Sequence, residues 1–304
     1  GGHGRPLSPP AFPPRPPRMP ANAPPLILGS MRFGNWGARL SPAEVARLLA
    51  TALDLGIDTL DLADIYGGHT TNALVGAALA HDPSLRPRLH LLAKVGIVMA
   101  DSPGNARRVQ HYDLSPPHLD AALGATLRDL GVAHVDTLML HRFDPRLDAA
   151  AVAGWVAAQR ERGSVGAFGL SNFPAAALPL FAGTLAPSAH QIELSAAASP
   201  ALDDGTHAAS RAAGAEVQAW SPLGGGALLA DDERGRALDA IASDVGLYRA
   251  GLLLRWVASL PGTRVVLGTA RPERLADAVR AVERPLPADA WYAVWQAARG
   301  RAVP

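Results

Sequence analysis

The sequence predicts a (β/α)8 barrel, a single α/β domain, on three observations. Eight short apolar segments alternate with eight helical blocks over about 280 residues, the element count of such a barrel. Several helical blocks carry their own start and stop signals. The turn after the first strand reads Gly29-Ser30-Met31-Arg32-Phe33-Gly34 and so lacks the G-x-G-x-x-G fingerprint of a doubly wound dinucleotide fold, the competing architecture.

The strand candidates are the apolar runs 26–28, 59–62, 89–95, 137–141, 167–170, 189–193, 217–220 and 265–267. Helical segments fall between them at 41–55, 71–80, 115–130, 149–162, 174–182, 200–213, 234–260 (broken or doubled) and 272–282. Ser41-Pro42-Ala43-Glu44 puts an N-cap, a proline at the first helical position and an acid at the third in register. Ser115-Pro116 repeats the cap-plus-proline start, and Gly56, Gly131, Gly163 and Gly214 stand where helices should stop. Residues 1–25 hold ten prolines, three arginines and no acid, which predicts a flexible, extended segment leading into a barrel over 26–304. The stretch 95–114 exceeds the usual connector length of about 12–15 residues and is expected to serve function.

Composition narrows the chemistry. With no cysteine, disulfides, thiolate nucleophiles, iron–sulfur clusters and cysteine-based zinc sites are excluded. A net charge of +1 makes no electrostatic case for nucleic acid or an anionic membrane as partner. No apolar run approaches the ~20 residues that span a bilayer, and residues 1–25 lack the apolar stretch of a signal peptide, so the expected location is the cytoplasm. Of the 28 basic residues, 27 are arginine and one is lysine, Lys94. A lysine is hard to replace where a compact ammonium or a lowered pKa is needed, so its position matters.

In a barrel the active site lies at the carboxyl ends of the strands. There the sequence places Asp61, with Tyr66 five residues on in LDLADIYGG; Lys94; His141 in TLMLHRFD; Ser171-Asn172; Gln191; Trp220-Ser221; and Gly268-Thr269. Any one of these is a common turn, cap or core residue. Asp, Tyr, Lys and His together are a set for moving a proton to an oxygen. A neighbouring ammonium is expected to lower the tyrosine's pKa from about 10, a carboxylate to hold the ammonium, and a neutral histidine to orient a carbonyl oxygen. None of the four is a strong nucleophile, so the set makes sense beside a hydride donor. No paired carboxylates or metal-ligand cluster stands at the strand ends, which disfavours a barrel hydrolase or isomerase, and no metal is expected.

The remaining strand ends offer a dinucleotide site. Arg271 and Arg274 flank the start of the last predicted helix, an anion site suited to a 2′-phosphate, although isolated surface arginines are also simply solvated. SPLGGG at 221–226 is a backbone without bulk that either folds over a pyrophosphate or forms a plain turn. Trp220 is either a stacking platform or core, and Ser171, Asn172 and Gln191 match either a carboxamide or nearby backbone.

The segments LDLADIYGG, LLAKVG, TLMLHRFDP, GAFGLSNF and VVLGTARPERL resemble the aldo-keto reductase superfamily, from about residue 26 onward, and are most similar to its bacterial NADP-dependent oxidoreductases. The resemblance implies a catalytic tetrad of Asp61, Tyr66, Lys94 and His141, with the tyrosine as general acid in carbonyl reduction. It implies NADPH/NADP+ contacts from Gly29, Ser30, Met31, Asp61, Ser171, Asn172, Gln191, Trp220, Ser221, Leu223, Gly225, Gly268, Thr269, Arg271, Arg274 and Asp277. The expected substrate wall is Phe33, Trp36, Tyr66, His141, Phe143 and Phe173, and the expected partner is a small carbonyl compound. Gly268 departs from the lysine of many members, with Arg271 a substitute, and Ala278 follows Asp277 where many have Glu-Asn. The alternative reading is an NADP(H)-binding redox-sensing or regulatory subunit with little turnover.

Overall fold

The computed structural model describes residues 23–303. Most of the proline-rich segment expected at 1–25 lies outside the described residues. From there the chain runs through β1 (Leu26–Gly29), α1 (Pro42–Asp54), β2 (Thr59–Asp61), α2 (Tyr66–His69), α3 (Thr71–His81), β3 (His90–Val95), β4 (Ile97–Val98), β5 (His111–Tyr112), α4 (Pro116–Leu130), β6 (Val135–Leu140), α5 (Ala149–Glu161), β7 (Val165–Ser171) and β8 (Ala189–Glu193). It continues through α6 (Pro200–Asp203), α7 (Thr206–Ala212), β9 (Glu216–Trp220), α8 (Glu233–Asp244), α9 (Arg249–Ala258), β10 (Thr263–Leu267), α10 (Pro272–Val282) and α11 (Ala288–Arg299).

Eight strands close a barrel in the order β1-β10-β9-β8-β7-β6-β3-β2, every neighbouring pair parallel. This is the (β/α)8 barrel the sequence predicts. Because all eight strands point one way, their carboxyl ends form one mouth. The strands are buried on both faces by helices outside and side chains inside, which is why they read as continuous apolar runs. At the opposite end the Arg264 guanidinium ties three strands, donating to Thr59 Oγ1 at 3.1 Å and to the Leu26 carbonyl at 2.8 Å.

The capping box at α1 forms as expected: Ser41 Oγ accepts from the Glu44 amide at 3.3 Å, and Glu44 Oε2 accepts from the Ser41 amide at 2.8 Å. Ser115 takes the N-cap backbone geometry, but its side chain makes no cap bond. Gly56, Gly131, Gly163 and Gly214 all adopt positive φ at helix stops.

Two expectations change. The helix expected at 174–182 is a 3-10 helix over Ala175–Phe181, because Pro179 sits inside it and cannot donate to an α-helical ladder. The block 200–213 divides into α6 and α7 where Asp204 Oδ1 accepts the Thr206 amide at 2.8 Å, starting a new helix. The block 234–260, expected as broken or doubled, is two helices, α8 and α9, with Gly246 between them. Within the long stretch after residue 95, β4 and β5 pair antiparallel.

Helix α11 had no counterpart in the sequence reading. Trp291 stacks on Trp256 of α9 with centroids 4.6 Å apart, and each indole N–H donates to the other residue's carbonyl, at 2.9 and 3.1 Å. Its apolar stripe is short and its aromatic anchors become meaningful only against α9. No helix among the described residues is long and apolar enough to cross a membrane.

Helix α3 crosses α4 so closely that a Cβ on Gly76 would lie 2.1 Å from the Asp129 carbonyl oxygen, whereas Gly154 on the exposed face of α5 has open space. Gly76→Ala is therefore expected to cost about 1–3 kcal/mol by overpacking, while Gly154→Ala gains about 0.5–1 kcal/mol by removing backbone freedom from the unfolded chain. Thermal melts of the two variants should move in opposite directions.

Candidate active site

The mouth is organised around one carboxylate. Asp61 ends β2, where its neighbours in register are Gly29 of β1 and Leu92 of β3. Its Oδ1 takes the Lys94 ammonium in a buried ion pair and also accepts from Gln191 Nε2 at 2.8 Å; its Oδ2 accepts from the Tyr66 hydroxyl at 3.4 Å. Lys94 lies on β3 with 0% of its surface exposed. An unpaired ammonium would not stay charged there, and the carboxylate is what keeps it so. Burial pulls the Lys94 pKa below its ordinary value, and Asp61 opposes that pull.

Tyr66 is aimed by the turn that follows it. Gly67 takes a φ of 63° and Gly68 of 67°, and a Cβ on Gly67 would strike Thr71 Oγ1 at 2.7 Å, so the LDLADIYGG glycines let the chain reverse immediately after the tyrosine. Ile97 of β4 packs with Ala63, Ile65 and Tyr66, so the hairpin at the base of the long loop supports the tyrosine from the side. The His141 ring stands edge-on to the Tyr66 ring with centroids 6.1 Å apart. Its Nδ1 is buried without a hydrogen-bond partner.

The electrostatics correct one expectation. The Lys94 ammonium was expected to pull the phenol's pKa down while a carboxylate held it; Asp61 does hold it, and the ammonium lies 5.1 Å from the centre of the Tyr66 ring. Burial and the Asp61 carboxylate push the Tyr66 phenol well above its ordinary value, with only Arg142 acting the other way. The phenol therefore carries its proton throughout the neutral range. Burial, reinforced by the Lys94 and Arg142 cations, drives His141 well below its ordinary value, so the imidazole is neutral.

Gln191 pairs in register with Ser171 on one side and Gln218 on the other. Asn172, in a left-handed conformation with φ 57°, donates to Ser171 Oγ at 2.8 Å and to the His141 carbonyl at 3.3 Å, and accepts from Trp220 Nε1 at 3.0 Å. Ser171, Asn172 and Trp220 thus form one linked wall across β7 and β9. The Trp220 ring is half-buried, with the Arg142 guanidinium 5.7 Å from its centre. Beyond it, Ser221 has positive φ, as do Gly224, Gly225 and Gly226, and a Cβ on Gly225 or Gly226 would meet nothing. Leu223 is half-buried against the core.

On the far side of the mouth, Gly268 is exposed with open space around it, and Thr269 Oγ1 accepts from the Arg271 amide at 3.2 Å. Arg271 caps α10 and Arg274 stands in its first turn, both exposed. Asp277 is ion-paired with Arg280 one turn on.

Four of the expected contact residues are buried. Gly29 lies against β10, where a Cβ would come within 3.1 Å of the Leu267 carbonyl. Ser30 is wholly buried, and its hydroxyl donates to the Asp61 carbonyl at 2.8 Å, so it holds the strand end bearing the carboxylate. Phe33 and Phe173, expected in the substrate wall, are 0% and 1% exposed and belong to the core, because the turn after β1 and the close of β7 fold them inward. Trp36, edge-on to Tyr66 at 6.4 Å, and half-buried Phe143, edge-on to Phe173 at 5.3 Å, remain at the mouth together with exposed Met31.

Sequence reading missed Asp64, Arg142 and Gln218. Asp64 sits between Asp61 and Tyr66 with one carboxylate oxygen buried and unpartnered, and burial raises its pKa to about 7. Its signal was present, an acid inside LDLADIYGG, but an acid after a strand is too common to single out. Between its unfolded and folded pKa the native protein binds the extra proton, so this group makes stability fall as pH rises from about 4 to 7. Asp64→Asn should therefore melt several degrees above the parent chain at pH 8, with the gap closing steadily toward pH 5.

The chain is similar in sequence and fold to known proteins. The model of the Aldo/keto reductase family matches residues 25–299. The chain is 34% identical to a 6-dehydroglucose reductase of Agrobacterium fabrum, covering 91% of this chain and 95% of the relative. It is 33% identical to the uncharacterized oxidoreductase YcsN of Bacillus subtilis (92% and 95% covered) and 32% identical to the oxidoreductase YdhF of Escherichia coli (91% and 94% covered). In fold it is similar to a thermostable aldo-keto reductase crystallised with the inhibitor epalrestat, at a TM-score of 0.76 and 23% identity, with 90% of this chain and 95% of that one covered. The match across nearly the whole barrel means that the chain belongs to the aldo/keto reductase family and is a carbonyl-reducing oxidoreductase.

Proposed function

We propose that the protein reduces an aldehyde or ketone to an alcohol with NADPH as hydride donor and Tyr66 as general acid. The observation that carries this reading is the single carboxylate of Asp61 gripping the Lys94 ammonium with one oxygen and the Tyr66 hydroxyl with the other, beside a neutral His141.

NADPH, when bound, supplies the hydride that reduces the carbonyl carbon. Tyr66 holds the matching proton, kept on the phenol by burial and by Asp61, and gives it to the substrate oxygen as negative charge develops there. The tyrosinate left behind lies near the Lys94 ammonium, which offsets its charge until a proton returns from solvent. His141 orients the oxygen through an uncharged ring and so does not compete for that proton. The reverse reaction, alcohol oxidation, uses the same groups.

The residues around the mouth fit the cofactor. Trp220 offers a ring face at the strand end, Ser171, Asn172 and Gln191 offer amide and hydroxyl groups beside it, and the open backbone at Gly225 and Gly226 leaves room for a pyrophosphate. Arg271 and Arg274 place two cations at the start of α10 beside open Gly268, which favours the 2′-phosphate of NADPH over the hydroxyl of NADH. The substrate class we infer from the names of two relatives, both 6-dehydroglucose reductases at 34% and 33% identity, is a hydroxylated aldehyde such as a sugar aldehyde.

Tyr66→Phe should lower kcat for aldehyde reduction by about 100- to 10,000-fold with little change in NADPH binding. Lys94→Arg keeps the charge but not the fit; it should leave the fold intact by circular dichroism and remove most activity. NADPH-dependent turnover of a carbonyl panel that survives Tyr66→Phe unchanged contradicts the assignment, and tight NADPH binding with no turnover across the panel favours a sensing subunit instead. Arg271→Ala together with Arg274→Ala should weaken NADPH by about 10- to 100-fold and leave NADH nearly unaffected, measured by fluorescence quenching.

A further inference from the structure

A chain of polar side chains, buried except at its half-exposed Glu216 end, runs from the Asp61 carboxylate down the inside of the barrel. Gln191 Nε2 donates to Asp61 Oδ1 at 2.8 Å and to Gln218 Oε1 at 3.2 Å; Gln218 Nε2 donates to Glu216 Oε1 at 3.0 Å; and the Arg264 guanidinium lies 3.7 Å from the same glutamate oxygen. Gln191 and Gln218 are 2% and 3% exposed and are register partners on β8 and β9. Glu216 and Gln218 are two residues apart on β9 and so share its inward face. The Glu216 end borders a cavity of about 810 Å3 at the amino-terminal end of the barrel, bounded among the described residues by Asp58, His90, Glu216 and Arg264 and open to solvent.

The direction of every hydrogen bond in this chain is set by its ends. A carboxylate only accepts, so Gln218 must turn its –NH2 toward Glu216 and its carbonyl toward Gln191. Gln191 must then present its –NH2 to Gln218, and the second proton of the same group goes to Asp61. Turned over, the Gln191 amide would put its oxygen against the Gln218 carbonyl and the Asp61 carboxylate, three acceptors with no proton between them, in a buried site where that is costly. The Gln191 carbonyl is thereby directed away from Asp61.

We propose that Gln218 is a positioning residue for hydride transfer: with Glu216 behind it, it locks the Gln191 amide in the one orientation that bonds Asp61 and leaves the Gln191 carbonyl to accept from the cofactor carboxamide. The proposal rests on the reading that Gln191 meets that carboxamide. It assigns a function to an otherwise unexplained pair of polar residues in the barrel interior, where apolar side chains would pack without the need for partners.

Two variants test it. Gln218→Met keeps the length and removes both hydrogen bonds; NADPH binding, read by fluorescence quenching, should weaken about tenfold at every pH from 6 to 9. Gln218→Glu keeps the acceptor for Gln191 but sets a second carboxylate beside Glu216, with Arg264 of β10, His90 of β3, Asp58 before β2 and the Asp61–Lys94 pair as the surrounding charged groups. One proton shared by the two carboxylates restores the lock, so binding should lie within twofold of the parent chain at pH 6; at pH 9 both ionise, their repulsion drives the new side chain away from Gln191, and binding should weaken by about tenfold. A buried residue with a merely structural role lowers the melting temperature of both variants without this split. Parent-like NADPH binding by Gln218→Met, or equal weakening in both variants at all pH values, overturns the proposal. A parent chain that does not bind NADPH at all overturns the cofactor reading and the proposal with it.

Discussion

Lys94 is a full positive charge with none of its surface in water, and the ion pair with Asp61 is the constraint on which the mouth of this barrel depends. Moving an ammonium into the protein interior is costly, and the cost is tolerable only when a carboxylate meets it with good geometry and its other lone pairs are used. Asp61 meets that condition on every side. Lys94 and Gln191 occupy one oxygen, Tyr66 the other, and Ser30 ties down the backbone carbonyl of the same residue. Four strands, β1, β2, β3 and β8, or the turns that leave them, are thereby joined at one point. Losing the carboxylate would strand an interior cation and release the tyrosine and the glutamine together.

That arrangement also divides the titration behaviour of the site. Tyr66 is held as phenol and His141 as neutral imidazole by the same burial, acting on groups of opposite charge type. A proton donor that keeps its proton and a neutral hydrogen-bonding ring beside it are compatible at any physiological pH. Asp64 is the exception, a half-satisfied acid whose pKa of about 7 lies within that range. It sits in the turn that aims Tyr66, where backbone geometry rather than stability sets what is accommodated.

Much of this was legible residue by residue. Strand positions could be read because parallel strands covered on both faces are apolar throughout, and the mouth residues because each follows such a run. A single lysine among 27 arginines marked a place where a guanidinium does not serve. Sequence pattern failed where an element's identity depends on a distant partner. Helix α11 is held by Trp291 stacking on Trp256, 35 residues away. Phe33 and Phe173 follow strands and look like pocket residues, yet their turns fold them into the core. Gln218 looked like one polar residue in a strand until its register with Gln191 was known.

Read from the amino acids alone, local apolar runs, turn residues and strand order specify the barrel, its eight strands and the groups that gather at its mouth, and the composition excludes thiol chemistry. What those groups do to one another is settled in the folded barrel. The lysine was expected to pull the tyrosine's pKa down; in the fold the Asp61 carboxylate meets both groups, and that pKa rises instead. The reason is physical: charge interactions and desolvation depend on distances of a few ångströms and on exclusion from water, and neither exists until eight strands close and place residues 61, 66, 94, 141 and 191 around one point.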